Sequence, residues 1–209
     1  MDDVAETTIV TPRERPKWHD VVAVALLSII AVATAWCGFE SSKWGGEMSI
    51  AFSQASSNRV KASDANSASR DAMQVEALVF AQWLNAEQAG DTAQMAYYES
   101  LFSPSFKVAF AQWDRVTKTP FGLDSYVPAG AVEAAAFNKA ADEAYARALV
   151  NNQRGDNYSL LTVMFALVLF LTAMAQREGP VWAQRSLLGV AGVVAVAGFV
   201  ILATFPIKV

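Results

Sequence analysis

An uncharged apolar segment that runs without a break into a proline-free stretch constrains this chain more than any other feature. Val21–Phe39 contains nineteen residues and no charged side chain, and about 20 apolar residues are needed to cross a bilayer as a helix. The chain then continues to about Gln88 without a proline. We therefore interpret residues 20–88 as one helix that crosses a membrane and continues outside it.

Two further segments are long and apolar enough to cross a bilayer. They are Tyr158–Ala175 and Ser186–Phe205, and neither carries a charged side chain. Over the whole chain of 209 residues, 54% are hydrophobic and only 17% are charged, which is typical of membrane proteins. The predicted fold class is therefore all-α, with three transmembrane helices.

The first apolar segment also has the features of a secretory signal. Basic residues precede it, and Ala33-Thr34-Ala35 resembles a cleavage site. Because the helical pattern continues past Ala35 into the polar stretch, we expect an uncleaved anchor instead.

The basic residues beside the three spans predict the orientation, because such residues accumulate on the cytoplasmic side. One side of the membrane has five basic residues near the spans: Arg13, Arg15, Lys17, Arg177 and Arg185. The other side has three: Lys43, Arg154 and Lys208. The side with five is therefore predicted to be cytoplasmic. The predicted order is a cytoplasmic tail (1–19), a first span (20–39), a periplasmic domain (40–157), a second span (158–176), a cytoplasmic loop (177–185), a third span (186–206) and a periplasmic end (207–209). The lipid bilayer is thus an expected partner, and the predicted location is a bacterial inner membrane.

Small residues at alternating spacings of four and three follow the first helix beyond the membrane. They are Ala51, Ala55, Asn58, Ala62, Ala65, Ser69 and Ala72. A matching series lies on the predicted return helix, about 129–157: Ala134, Phe137, Ala141, Ala144 and Ala148. This spacing is typical of a coiled-coil seam, so we predict a long antiparallel helical hairpin. A weakly ordered linker rich in Ser and Ala is the alternative, and the regular spacing disfavours it.

The residues between the two hairpin helices predict a small helical tip. Asp91 is placed to cap a short helix to about Phe102, and Ser103-Pro104 to begin another to about Thr117. Aromatic residues are concentrated here: Phe80, Trp83, Tyr97, Tyr98, Phe102, Phe106, Phe110, Trp113, Phe121 and Tyr126. We expect them to form the core of the tip; a docking face or an apolar ligand pocket is the alternative, and exposure of Trp113 and Tyr126 distinguishes the two.

Charged residues and a tryptophan flank the predicted outer membrane surface and form the candidate site for assembly. They are Glu40, Lys43, Trp44, Glu47, Arg154 and Asp156. A solvated interfacial charge cluster is the simpler interpretation, and an ion or ligand site at the membrane mouth is the alternative. We expect Arg154 to face Glu40 or Glu47. Gly45-Gly46 is expected either to kink the helix or to admit another backbone.

The third span repeats small residues at spacings of three. They are Gly189, Gly192, Ala195 and Gly198. Such residues mark helix–helix contacts in lipid, either within the chain or between protomers.

The sequence carries few of the residues that catalysis, metal binding or nucleic-acid binding requires. It has one cysteine (Cys37), one histidine (His19) and no nucleotide-binding, hydrolase or metalloprotease motif. Its net charge is −4, without a basic block. We therefore predict a protein that is not an enzyme, binds no cofactor, metal or nucleic acid, and acts through membrane partners.

Two runs resemble a pattern in uncharacterised bacterial inner-membrane proteins. The first is residues 34–47 (TAWCGFESSKWGGE), and the second is residues 152–158 (NQRGDNY) at the start of the second span. The resemblance covers nearly the whole chain and implies the same topology and a bacterial origin, but no activity.

Three classes of function fit these features. The first is a structural or accessory membrane subunit, assembling with itself or with another membrane protein. The second is a periplasmic sensory or ligand-binding module, whose architecture resembles chemoreceptor domains but which lacks an output segment and so needs a separate effector. The third is an oligomeric channel, for which the spans offer few polar residues. The small-residue stripes favour the first.

Overall fold

The computed structural model describes residues 18–116, 118–177 and 179–208. Within these ranges the chain forms five α-helices and one 3-10 turn: α1 (Trp18–Ala89), α2 (Thr92–Leu101), α3 (Pro104–Ala111), the turn Pro120–Gly122, α4 (Ala131–Ala175) and α5 (Val181–Leu202). The predicted all-α class is confirmed over the described residues. The predicted tail, with Arg13, Arg15 and Lys17, and the side chain of His19 lie outside them.

Three of the helices are long and apolar enough to cross a membrane: α1, α4 and α5. The first, α1, has 72 residues and continues through Gly45-Gly46 as one helix, close to the predicted bounds of 20–88. The predicted return helix and second span form the single 45-residue helix α4, because no proline interrupts residues 131–175.

The short helices begin where their capping residues predict. The Asp91 carboxylate accepts the backbone N–H groups of Ala93 and Gln94 ahead of α2, and the Ser103 hydroxyl accepts that of Phe106 ahead of α3. However, α3 ends at Ala111 instead of the predicted Thr117. Arg115 adopts a left-handed φ of 63°, a conformation that cannot continue a right-handed helix.

The helices divide into two compact units, and α1 and α4 contribute to both. Met1–Gly46 and Asn151–Val209 form the first, here called the span unit, and Glu47–Val150 forms the second, the head unit. Each has a separate packed core.

In the span unit, α1, α4 and α5 contribute side chains at helical spacing to one apolar core. Its members are Ile30, Ala33, Cys37, Trp44, Tyr158, Leu161, Phe165, Val168, Ala191 and Ala195. Gly198 packs beside it, since a Cβ at this position would lie only 2.6 Å from a ring carbon of Phe165. The third-span residues Ala191, Ala195 and Gly198 are thus used for packing within the chain, whereas Gly189 and Gly192 face open space.

In the head unit, the predicted small-residue seam is mostly buried. On α1, Ala51, Ala55 and Ala62 are at most 6% exposed, and on α4 Ala141, Ala144 and Ala148 are fully buried. Polar and aromatic pairs border this seam, among them Arg59 with Asp142 and Phe52 with Tyr145. Alanine permits the close approach because it adds little beyond the backbone.

The aromatic residues of the head unit form its second packed region. Phe80, Trp83, Phe102, Phe106 and Tyr126 are all buried, and ring centroids lie as close as 4.7 Å, between Phe106 and Phe121. Tyr126 is only 8% exposed, and the half-buried Trp113 packs against the cluster. The prediction that these residues form the core of the tip is therefore confirmed for nine of the ten; it is wrong for Tyr97, which is 61% exposed and lies outside the cluster.

Candidate interfacial site

A fully buried carboxylate lies where the apolar part of α1 ends. Glu40 belongs to the buried face of α1, one turn after Cys37 and one turn before Trp44. Its Oε2 accepts a hydrogen bond of 2.9 Å from the backbone N–H of Lys208, so it ties the segment after α5 to α1. Its Oε1 has no hydrogen-bond partner among the described residues.

Trp44 carries two cations on its indole ring. The Arg154 guanidinium carbon lies 4.5 Å from the ring centroid and Lys208 Nζ lies 5.8 Å from it, both within the range of a cation–π interaction. The indole is 95% buried, at 5% exposure, and its Nε1 has no partner among the described atoms. The ring thus positions Arg154 by stacking, which suits a planar guanidinium.

Close contact between α1 and α4 brings these groups together. A Cβ on Gly155 would lie 3.5 Å from the backbone oxygen of Ser41 and 3.7 Å from Trp44 Cβ, so any side chain beyond a methyl would separate the helices. Ser41 Oγ donates to the backbone oxygen of Gly155 at 3.0 Å. The backbone nitrogen of Gly45 lies 3.8 Å from the same Cβ position on Gly155, so the backbone of Gly155 approaches α1 beside Gly45, whereas a Cβ added at Gly45 or Gly46 would itself meet nothing within 4 Å.

Tyr158 closes the site from α4. It is fully buried, its hydroxyl donates to the backbone oxygen of Pro206 at 3.1 Å, and its ring packs edge-on against Phe205. Tyr158 and Glu40 together hold both Pro206 and Lys208, the residues that follow α5.

The structure brings three of the six predicted site residues together: Glu40, Trp44 and Arg154. Lys43 is exposed, with Nζ 5.8 Å from the Phe39 ring centroid, and Asp156 accepts a hydrogen bond from Asn152 on the exposed side of α4. Glu47 belongs to the head unit.

Two details of the site differ from the sequence-based expectation. The expected facing of Arg154 and Glu40 is replaced by other contacts, Arg154 with an aromatic ring and Glu40 with a backbone amide. Tyr158 and Lys208 also belong to the site, although they were not among the six predicted residues. A tyrosine at the start of an apolar span is a usable signal, because its buried hydroxyl requires a partner.

The site holds ionic, aromatic and hydrogen-bonding groups that suit binding and positioning. Within the described residues, no group of three or more His, Cys, Asp and Glu side chains is arranged to hold a metal ion.

A second buried polar cluster lies in the head unit. Glu76 is 8% exposed; its Oε2 accepts the Tyr126 hydroxyl at 2.6 Å, and its Oε1 accepts the Ser103 backbone N–H at 3.1 Å. Burial, together with the hydrogen bond to Glu76 and its negative charge, raises the pKa of Tyr126 above its usual value of 10.0. Glu76 thereby fastens α1 to the α3 cap and to the loop before α4.

Replacing Tyr126 with phenylalanine is expected to lower the free energy of unfolding of the head unit by about 1–3 kcal/mol, because Glu76 Oε2 loses its donor in a buried place. The raised pKa makes this contribution pH-dependent. It is fully present below the unfolded-state pKa of 10.0 and declines as the pH rises above it, because only the unfolded state releases the proton there. Thermal unfolding of both proteins in detergent at pH 8 and pH 11 measures this. An unchanged difference between the two pH values would contradict the assignment.

No protein-family model, curated protein or solved structure matches this chain.

Proposed function

We propose that this chain is a non-catalytic integral protein of the bacterial inner membrane that acts as a structural or accessory subunit through helix–helix assembly. In this proposal the apolar parts of α1, α4 and α5 cross the bilayer. The N-terminus is cytoplasmic, and the head unit lies in the periplasm.

The head unit is proposed to be an antiparallel helical hairpin with a helical tip. Three pairs within it support this arrangement: Arg147 donates to Gln54, Arg59 pairs with Asp142, and Lys61 Nζ lies over the Phe137 ring. As the residue number rises along α1 it falls along α4, as expected for helices that run in opposite directions.

One observation carries the assembly proposal: small residues form an exposed stripe along the apolar part of α1. They occur at spacings of three and four, and each is exposed: Ser28, Ala31, Ala35, Gly38 and Ser42. A Cβ added at Gly38 would meet no atom within 4 Å. The stripe lies on the side of α1 away from the buried Ala33 and Cys37.

Membrane chemistry explains why such a stripe favours a protein partner. Without a hydrophobic driving force between helices, association in lipid depends on close van der Waals packing, and small residues allow backbones to approach. The neighbouring exposed face of α1 carries bulky groups instead, such as Ile29, Val32 and Phe39, which suit lipid chains. On α5 the repeat is divided, because Ala195 and Gly198 are buried within the chain and Gly189 and Gly192 are not. The stripe of α1 is exposed along its whole length, and we therefore propose it as the face for another helix.

Leucine in place of Ala35 is expected to weaken assembly at least tenfold, because its side chain separates the helix backbones at the centre of the stripe. Leucine in place of Ala25 makes the same chemical change on the bulky exposed face of α1 and is expected to have no effect. The measurement is native mass spectrometry or size-exclusion chromatography with light scattering, in a mild detergent, on the tagged protein and whatever co-purifies with it.

The assembly proposal would be overturned in either of two ways. The wild-type protein would be a monomer without a co-purifying membrane partner, or the two leucine variants would lose assembly equally.

A further inference from the structure

Arg154 has a fixed position but no anionic partner in the described part of the chain. Its guanidinium lies on the Trp44 ring at 4.5 Å, and no carboxylate of the described residues forms an ion pair with it. The residue is half-buried, so one side of the guanidinium remains open to a ligand. A cation held in this way on a rigid aromatic surface is arranged to bind an anion.

An apolar groove lies between α4 and α5, and its first lining residue on α4, Asn157, is one turn after Arg154. It has a volume of about 210 Å³, and its lining residues are Asn157, Leu160, Leu161, Met164, Ile201 and Phe205. All of them belong to the span unit, as do Arg154 and Trp44.

The groups along this side of α4 follow a defined chemical order. Arg154, Asn157, Leu161 and Met164 are three, four and three residues apart and therefore share one side of the helix. At 1.5 Å per residue, Asn157 lies about 4.5 Å and Met164 about 15 Å beyond Arg154 along the axis. Asn157 Oδ1 accepts a hydrogen bond from Gln153, which leaves its amide hydrogens to donate. The order is thus a cation, a hydrogen-bond donor and an apolar groove.

We propose that this surface binds one phospholipid molecule. Its phosphate pairs with Arg154, a glycerol ester carbonyl accepts from Asn157, and part of one acyl chain occupies the groove between α4 and α5. A phospholipid carries phosphate, ester and hydrocarbon in this same order, and the charge of Arg154 is complementary to the phosphate. A free phosphate ion would use Arg154 alone and leave the groove unexplained.

This inference requires that α4 and α5 are inserted in a membrane, as proposed above, but does not require assembly. Bound lipid would contact α4 and α5, and none of the residues that line the groove belongs to α1, which carries the small-residue stripe. The two proposals can therefore fail separately.

The test measures thermal unfolding of the full chain, purified in dodecyl maltoside, as a function of added ligand. Three probes are used: dioleoylphosphatidylglycerol, dioleoylglycerol with the same chains but no phosphate, and inorganic phosphate. We expect the phospholipid alone to raise the Tm in a saturable way. Arg154→Gln is expected to weaken its apparent affinity about tenfold or more, and Arg154→Lys to restore most of it.

Two further variants separate lipid binding from general damage. Leu160→Trp places a bulky ring at a groove residue that is 68% exposed, so it should weaken lipid binding without disturbing the core. Arg70→Gln removes an exposed cation of the head unit, hydrogen-bonded only to Ser67 in the structure, and should leave the apparent affinity unchanged.

The inference is overturned if dioleoylglycerol or inorganic phosphate stabilises the protein as well as the phospholipid does. It is also overturned if Arg154→Gln and Leu160→Trp both bind the phospholipid as Arg70→Gln does. If Arg154→Gln does not fold, Arg154→Lys and Leu160→Trp decide the matter. Membrane insertion is tested separately, by resistance of the protein to alkaline carbonate extraction. Extraction of the protein would contradict the proposed insertion, and this outcome is distinct from a failure of lipid binding.

Discussion

Replacing Gly130 with alanine is expected to lower the free energy of unfolding of the head unit by about 2–5 kcal/mol. Gly130 precedes α4 with a φ of +87°, where an L side chain is strained. Its added Cβ would also lie 2.7 Å from the backbone oxygen of Ala65. This oxygen belongs to the rigid helix α1 and cannot swing aside, so the start of α4 must move.

Gly90 provides the matched control for this substitution. It also has a positive φ, +69°, but a Cβ there would meet no atom within 4 Å. Gly90→Ala should therefore show only the conformational cost, about 1–2 kcal/mol. Thermal unfolding followed by circular dichroism in detergent compares the two variants. Equal losses of stability would mean that the contact with Ala65 does not matter.

The second large effect is expected at Gly198 in the span unit. Gly198→Ala should destabilise the packing of α5 against α4 by about 1–3 kcal/mol, because the new methyl group would lie 2.6 Å from a Phe165 ring carbon and 3.0 Å from Met164 Cε. Phe165 is fully buried, so its ring cannot turn away without disturbing the core.

Gly189→Ala makes the same change about two and a half turns earlier on α5, where nothing lies within 4 Å of the new atom. It should be neutral or stabilise the helix slightly, because alanine is a better helix former than glycine. The fraction of folded protein during titration with a denaturing detergent measures both variants. A Gly189→Ala variant as unstable as Gly198→Ala would show that the two glycines are not distinguished by packing.

Much of the fold could be predicted from the sequence because its main signals are local. The absence of proline and the length of the apolar segments predicted α1 and the three candidate spans, and Asp91 and Ser103 predicted the starts of α2 and α3. The end of α3 could not be predicted in this way. The left-handed conformation of Arg115 excludes a helix that reaches Thr117, and the guanidinium of Arg115 stacks on Trp83 and Trp113. The contact with Trp83 joins distant parts of the chain.

The candidate site was only partly predictable for a related reason. Glu40, Trp44 and Arg154 are conspicuous charged or aromatic residues beside apolar segments, so composition identifies them. Their partners depend on tertiary contacts: the amide of Lys208 reaches Glu40 only because the residues after α5 return to α1. A backbone donor carries no signature in the residue types, and so the expected charge pair was not found.

The alanine seam of the head unit has a consequence for how this unit responds to mechanical or thermal stress. Alanine buries far less apolar area than an aromatic side chain, which buries roughly 150–250 Å². In the proposed hairpin, most of the hydrophobic stabilisation is therefore concentrated around Trp83, Phe106 and Tyr126, at one end. The alanine-lined part of α1 and α4 is stabilised mainly by close packing of the helix backbones. We therefore expect it to open and reclose while the aromatic cluster stays folded. Local opening is therefore expected to begin in the alanine-lined part of the two helices and not in the aromatic cluster.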